Sequence, residues 1–173
     1  MKYLSLALLM ISLTSFASGP LTVTPSDRVP KEGVRNSFVP IWEAGRLVAS
    51  GTGALNTGTW YRDGQDMVIS IAGHCGSTGG GTAGILKFLI PGGYNAIYTG
   101  WGISISAESV NLGNFHFLSS GVYQGVFAKP SGFRSIAFTQ YESGSTNFQG
   151  TNIAADCRFG GNLRVPIKEW SGL

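Results

Sequence analysis

The sequence predicts an all-β fold, a single jelly-roll-like β-sandwich of roughly ten short antiparallel strands. Three observations predict it. Strand-length segments recur about every ten residues, bounded by Gly, Asn, Ser and Pro. No segment shows the apolar repeat of an amphipathic helix. The chain also holds 26 glycines and 7 prolines, with only 12% charged residues, so turns are plentiful around an ordinary apolar content. A chain of 173 residues can build one core without metals or several disulfides, and a single domain is expected.

The first residues read as a targeting segment rather than as structure. Lys2 supplies a positive start and Leu4 to Leu13 an apolar stretch broken only by Ser, while Ser15 and Ala17 provide the small residues of a cleavage site. Residues 1–17 are therefore expected to be a signal peptide, with the mature chain starting at Ser18 or Gly19. The stretch is shorter than the roughly 20 residues that span a bilayer, and no basic stop-transfer flank follows. The product is expected to be secreted into the periplasm, to the cell surface or outside the cell, and not embedded in a membrane. Residues 18–36, punctuated by Pro20, Pro25 and Pro30, read as an extended arm lying across the domain or reaching a neighbouring subunit, and 37–173 as the β-domain.

Within that domain the first strands are expected at 37–41, an edge strand because Pro40 cannot donate to a ladder, and at 46–50. Next comes a hairpin from 57–62 into 65–72, turning on Asp63-Gly64, a preferred tight-turn pair. Met67, Ile69 and Ile71 share one face of its returning strand and form the expected buried face. The Gly-rich run 76–82 lacks the Lys of a phosphate-binding loop and precedes a strand rather than a helix, so it reads as a surface loop at one end of the sandwich. Further strands are expected at 84–90, 96–101, 103–107, 114–118, 122–128, 133–141, 153–158 and 163–167.

Cys75 and Cys157 are the only cysteines, and in an oxidising compartment they are expected to pair. The net charge of +3 is spread singly, without the clustered cations that phosphate backbones require, so no nucleic-acid partner is expected. His74 and His116 are far apart and outside any ligand spacing, and no metal or other cofactor is expected. His116, between Phe115 and Phe117, should point away from both. Glu108 and Glu142 could form the facing carboxylates of a glycosidase only if the fold brought them together.

The segment Ala72-Gly73-His74-Cys75-Gly76 resembles the surroundings of the catalytic His in secreted trypsin-like serine proteases. That resemblance implies a Ser nucleophile and an orienting carboxylate in the order His, Asp, Ser. The best later Ser, Ser143, lies in Tyr-Glu-Ser-Gly-Ser, which departs from the family's Gly-Asp-Ser-Gly-Gly at three positions. No Asp lies between it and His74. No catalytic residues are therefore assigned, and a serine hydrolase stands behind the binding readings.

Recognition has better material. Tyr94 and Asn95 follow a Gly-rich turn, with Tyr98 and Trp101 on the succeeding strand, and rings with a polar tip beside an amide suit a sugar or a receptor surface. These four residues are the expected ligand-binding set. In texture, residues 45–130 resemble the β-rich tip domains of bacterial pilus adhesins and phage tail fibres, with Trp60 on a strand, the Asp63-Gly64 turn, a Val/Ile strand and a Gly-rich turn. The resemblance implies surface attachment, to a glycan or a protein receptor, as a monomer or homo-oligomer. A protein-binding subunit or inhibitor of an extracytoplasmic assembly is the alternative.

Overall fold

The computed structural model describes residues 29–43, 45–97, 111–140 and 147–170. Its strands are β1 Asn36–Phe38, β2 Trp42–Glu43, β3 Leu47–Val48, β4 Leu55–Asp63, β5 Asp66–His74, β6 Gly80–Gly81, β7 Lys87–Leu89, β8 Gly113–Ser119, β9 Val122–Pro130, β10 Ser135–Gln140 and β11 Arg158–Pro166. Short 3-10 turns at Pro91–Gly93, Gly150–Asn152 and Lys168–Trp170 are the only helical elements among the described residues. The domain is all-β, as the turn-bounded segments predict.

Nine strands form one antiparallel sheet in the order β1-β4-β5-β11-β8-β9-β10-β7-β2, and β3 pairs with β6 in a small second sheet. β1 and β2 sit on opposite edges of the large sheet, yet only Val39, Pro40 and Ile41 separate them. That link spans at most about 15 Å, so the two edges are neighbours in space. The sheet is curled around one core, an architecture between sandwich and barrel. Pro40 sets the bend: the expected strand at 37–41 ends before it, and Ile41 passes to the other edge, where its carbonyl accepts from the Leu89 N–H at 2.9 Å.

Alternation along the strands fills the core. Met67, Ile69 and Ile71 of β5 face inward and are buried, as do Phe115 and Phe117 of β8, while His116 between them is exposed. Phe88, Phe115, Phe117, Phe138, Phe148 and Phe159 pack with Trp42 in a continuous aromatic cluster, in which Phe115 and Phe138 have centroids 4.9 Å apart and Phe117 and Phe148 5.0 Å. Tilted and offset ring pairs of this kind add to the area they bury.

Several local details differ from expectation. The β4–β5 hairpin closes on Asp63 opposite Asp66, so its two turn residues are Gly64 and Gln65 rather than Asp63 and Gly64. Gly64, at φ 62°, takes the first turn position, where a positive φ is needed. The segments 153–158 and 163–167 are not two strands. Residues from Arg158 run straight through Gly160-Gly161 to Pro166 as the central strand β11, paired with β5 on one side and β8 on the other. The glycines are there for close approach rather than for a turn: a Cβ on Gly161 would lie 2.4 Å from the Asn114 carbonyl oxygen and 2.5 Å from the Phe115 ring.

The Gly-rich run is likewise more than a loop, since Gly80–Gly81 forms β6 against Leu47–Val48 and the Gly81 N–H donates to Ile153. Of the expected arm, Glu32 bridges to Arg62, the Gly33 N–H donates to the Arg62 carbonyl, and β1 already begins at Asn36. The signal segment, the strand expected at 103–107 and all of 96–101 beyond Ile97 lie outside the described residues.

The two cysteines form a disulfide with a Cα separation of 5.0 Å, and both are fully buried. They lie one residue beyond the paired ends His74 and Arg158, where the Cys75 N–H also donates to the Cys157 carbonyl at 2.7 Å. The bond thus joins the end of β5 to the start of the last strand.

Candidate functional site

The expected ligand-binding set divides. Tyr98 and Trp101 lie outside the described residues, as do Glu108, Glu142 and Ser143. Tyr94 and Asn95 are described and are held from within the protein. The Tyr94 ring packs edge-on against Trp170 at 5.0 Å and against Trp60 at 5.8 Å, and Trp60 stacks on Trp170 at 6.1 Å. Burial, with the negative charge of Glu169 as a second cause, pushes the Tyr94 phenol above its ordinary pKa. The Asn95 N–H and side-chain amide both donate to the Glu169 carboxylate, the amide at 2.5 Å. This end of the domain is a small aromatic and polar cluster joining the turn after Pro91 to the C-terminal 3-10 turn.

An open groove of about 780 Å3 lies elsewhere, on the outer face of β4, β5, β11 and β8. The strand register builds it in two rows across the sheet. One row runs Thr59, Ser70, Asn162, Asn114, and the next runs Thr57, Ala72, Gly160, His116. Ala72 and Gly160 have little or no side chain, so the second row sinks between Thr57 and His116 into a trench. The Ser70 hydroxyl donates to the Asn162 Oδ1 at 2.7 Å, which fixes the orientation of the Asn162 amide. His116 stacks on Tyr123 with centroids 5.6 Å apart and planes 13° from parallel. Tyr123 reaches it diagonally from the next strand because Gly125, directly opposite His116, has no side chain in the way.

An ionic cluster lies one row farther along the same face, outside the groove lining. Arg164 donates to Asp66 at 2.6 Å and pairs with Asp63 at 2.9 Å, and the hydrogen bond to Asp66, foremost, raises its pKa above the ordinary arginine value. Its charge is committed across the mouth of the β4–β5 hairpin.

His74 occupies a different position, at the end of β5 beside the disulfide. Its Nδ1 accepts from the Gly76 N–H at 3.1 Å and its Nε2 faces Asp156 Oδ1 at 3.1 Å. In that neutral tautomer Nε2 carries the hydrogen and donates to Asp156. The Gly53 carbonyl, also 3.1 Å from Nδ1, is the partner in the other tautomer, in which Nδ1 carries the hydrogen. The carboxylate beside His74 is therefore Asp156, which follows Ser143 in the chain instead of preceding it. Sequence order hid this pair; the Cys75–Cys157 bond, which brings residue 156 next to residue 75, was the signal for it. Among the described residues no group of three or more His, Cys, Asp and Glu side chains could hold a metal ion, and no helix is long and apolar enough to cross a membrane.

The chain matches no family model, no curated protein and no solved structure. Its functional reading rests on its own geometry. In that geometry the groove was missed by sequence reading because each of its side chains is an ordinary outward-facing strand residue. Only the lateral register of four strands, two of them far apart in sequence, sets Thr57, Ala72, Gly160 and His116 in line.

Proposed function

We propose that the protein is an exported, surface-associated binding module, adhesin- or lectin-like, that recognises a glycan or a cell-surface receptor rather than catalysing a reaction. The groove carries this reading: hydroxyl and amide side chains of Thr57, Thr59, Ser70, Asn114 and Asn162 converge on an open trench over a rigid sheet. Donors and acceptors held on strands are oriented before a ligand arrives, which lowers the ordering cost of binding. Export is supported by the signal-like first residues and by the buried disulfide. The test is binding of the mature, oxidised domain to a broad glycan array, with the double variant Ser70→Ala/Asn162→Ala alongside. Specific binding weakened in a variant that still folds is the expected result; absence of binding to any printed glycan sinks the lectin reading.

A second reading, a protein-binding subunit or inhibitor in an extracytoplasmic assembly, is favoured by one separate observation. Val39 and Ile41 at the bend between the two sheet edges are 69% and 60% exposed, and they line a largely apolar hollow of about 220 Å3 with Phe38, Leu89, Ile90, Pro91 and the single charged side chain Arg134. Exposed apolar side chains gathered beside a sheet edge suit a protein partner. Crosslinking from residue 39 at the producing cell's surface would decide between a specific partner and none.

A further inference from the structure

We infer that the groove is a subsite for an uncharged sugar unit, with His116 as its hydrogen-bonding end wall and Tyr123 as the residue that positions His116. This inference rests on the glycan reading above and adds the ligand class and the determinants.

The ligand class follows from charge. Thr57, Thr59, Ser70, Asn114 and Asn162 supply hydroxyls and amides, and the lining contains no Asp, Glu, Lys or Arg. A bound carboxylate or sulfate would lose hydration without meeting a countercharge in the lining itself, since Arg158 and Arg164 stand one row beyond it on either side. The guanidinium nearest the hairpin end, Arg164, is already engaged by Asp63 and Asp66. Neutral hydroxyls, by contrast, exchange water for hydroxyl and amide partners on near-equal terms.

The shape follows from the floor. Ala72 leaves room above the sheet, and the His116 ring leans over Gly160: a Cβ there would lie 3.3 Å from His116 Cε1, 3.3 Å from the Ile71 carbonyl oxygen and 3.4 Å from His116 Nε2. The imidazole edge that bears Nε2 thus lies over the trench floor, within reach of a sugar hydroxyl. Tyr123, 67% exposed, covers one face of that ring and holds the edge in place. Gly125 admits the Tyr123 stack and Gly160 admits the His116 ring, while the small Ala72 beside them leaves the space for a ligand.

The experiment compares the mature domain with Ala72→Leu and Tyr123→Ala, with Tyr123→Phe as the variant that keeps the stack. The array carries neutral probes ending in galactose, glucose, mannose or N-acetylglucosamine beside sialylated and sulfated ones, read at low and high salt. Residue 72 is an exposed strand position, so leucine there fills the trench without entering the core. Expected are salt-insensitive binding of a neutral probe, at least about tenfold weakening in Ala72→Leu and Tyr123→Ala, and retention in Tyr123→Phe. Salt-sensitive binding confined to acidic probes overturns the inference while leaving the glycan reading standing. Neutral binding that neither Ala72→Leu nor Tyr123→Ala weakens also overturns it, by placing the site elsewhere. No binding to any probe overturns both.

Discussion

The indole N–H of Trp42 donates to the side-chain oxygen of Asn56 at 3.2 Å, and the amide nitrogen of the same Asn56 donates to the Pro40 carbonyl at 2.9 Å. Asn56 stands on β4, next to one edge of the sheet, whereas Trp42 opens the strand on the other edge. One part-buried amide therefore fastens the bend by which the chain passes between the two edges of its own sheet.

Replacing Asn56 with Ala leaves the Trp42 donor and the Pro40 acceptor without their partner, at an expected cost of about 1–3 kcal/mol. Urea unfolding followed by tryptophan fluorescence measures this. An unchanged midpoint would show that the bend is held by packing alone.

The disulfide closes a sequence separation of 82 residues. Substituting both Cys75 and Cys157 with Ala should lower stability by about 4 kcal/mol, because the unfolded chain regains the entropy that the bond removes. Unfolding of the oxidised protein and of the double variant, compared in the same denaturant, gives the difference directly.

Gly160 and Gly161 are neighbours on β11 that face opposite sides of the sheet, and alanine should separate their roles. At Gly161 a Cβ would lie 2.4 Å from the backbone oxygen of Asn114 and 2.8 Å from the Phe115 Cα, so Gly161→Ala should cost about 1–3 kcal/mol or more. At Gly160 the nearest atoms, His116 Cε1 and the Ile71 oxygen, are both 3.3 Å away, so a small shift suffices and the expected cost is under about 1 kcal/mol. Thermal unfolding of both variants tests the contrast; equal losses would contradict it.

Tyr94 supplies a pH prediction. Its phenol is raised above the ordinary value of 10.0, first by burial and then by Glu169. A raised folded pKa means that the neutral phenol's contribution is fully present below pH 10 and is lost as pH climbs through the folded value. Tyr94→Phe has no such proton to lose, so its stability should fall less than that of the parent as the pH is taken from 9 to beyond the Tyr94 titration. Parallel alkaline declines in the two proteins would rule the coupling out.

Much of this molecule is legible in its local sequence. Met67, Ile69 and Ile71 alternate with more polar neighbours and are buried where that alternation puts them, and Phe115, His116 and Phe117 divide between core and surface in the same way. The two-residue β8–β9 turn, Ser120 at φ 51° and Gly121 at φ 77°, sits between two correctly expected strands. The central strand was less legible. Gly160-Gly161 carries the composition of a turn, and its opposite use became visible only with Phe115, Asn114 and His116 packed against it.

The sequence by itself determined what depends on near neighbours and on composition: an all-β chain, the inward and outward faces of its strands and the pairing of its two cysteines. Tertiary structure alone decided which strands lie side by side, and with them the groove, the Asp156 partner of His74 and the Asn56 fastening of the bend. The physical reason is that periodicity is a property of a few consecutive residues, whereas lateral register depends on pairings such as Gly160 with both Ala72 and His116, made between segments far apart in the chain. No local pattern encodes those pairings; they follow from how the whole sheet buries its aromatic core.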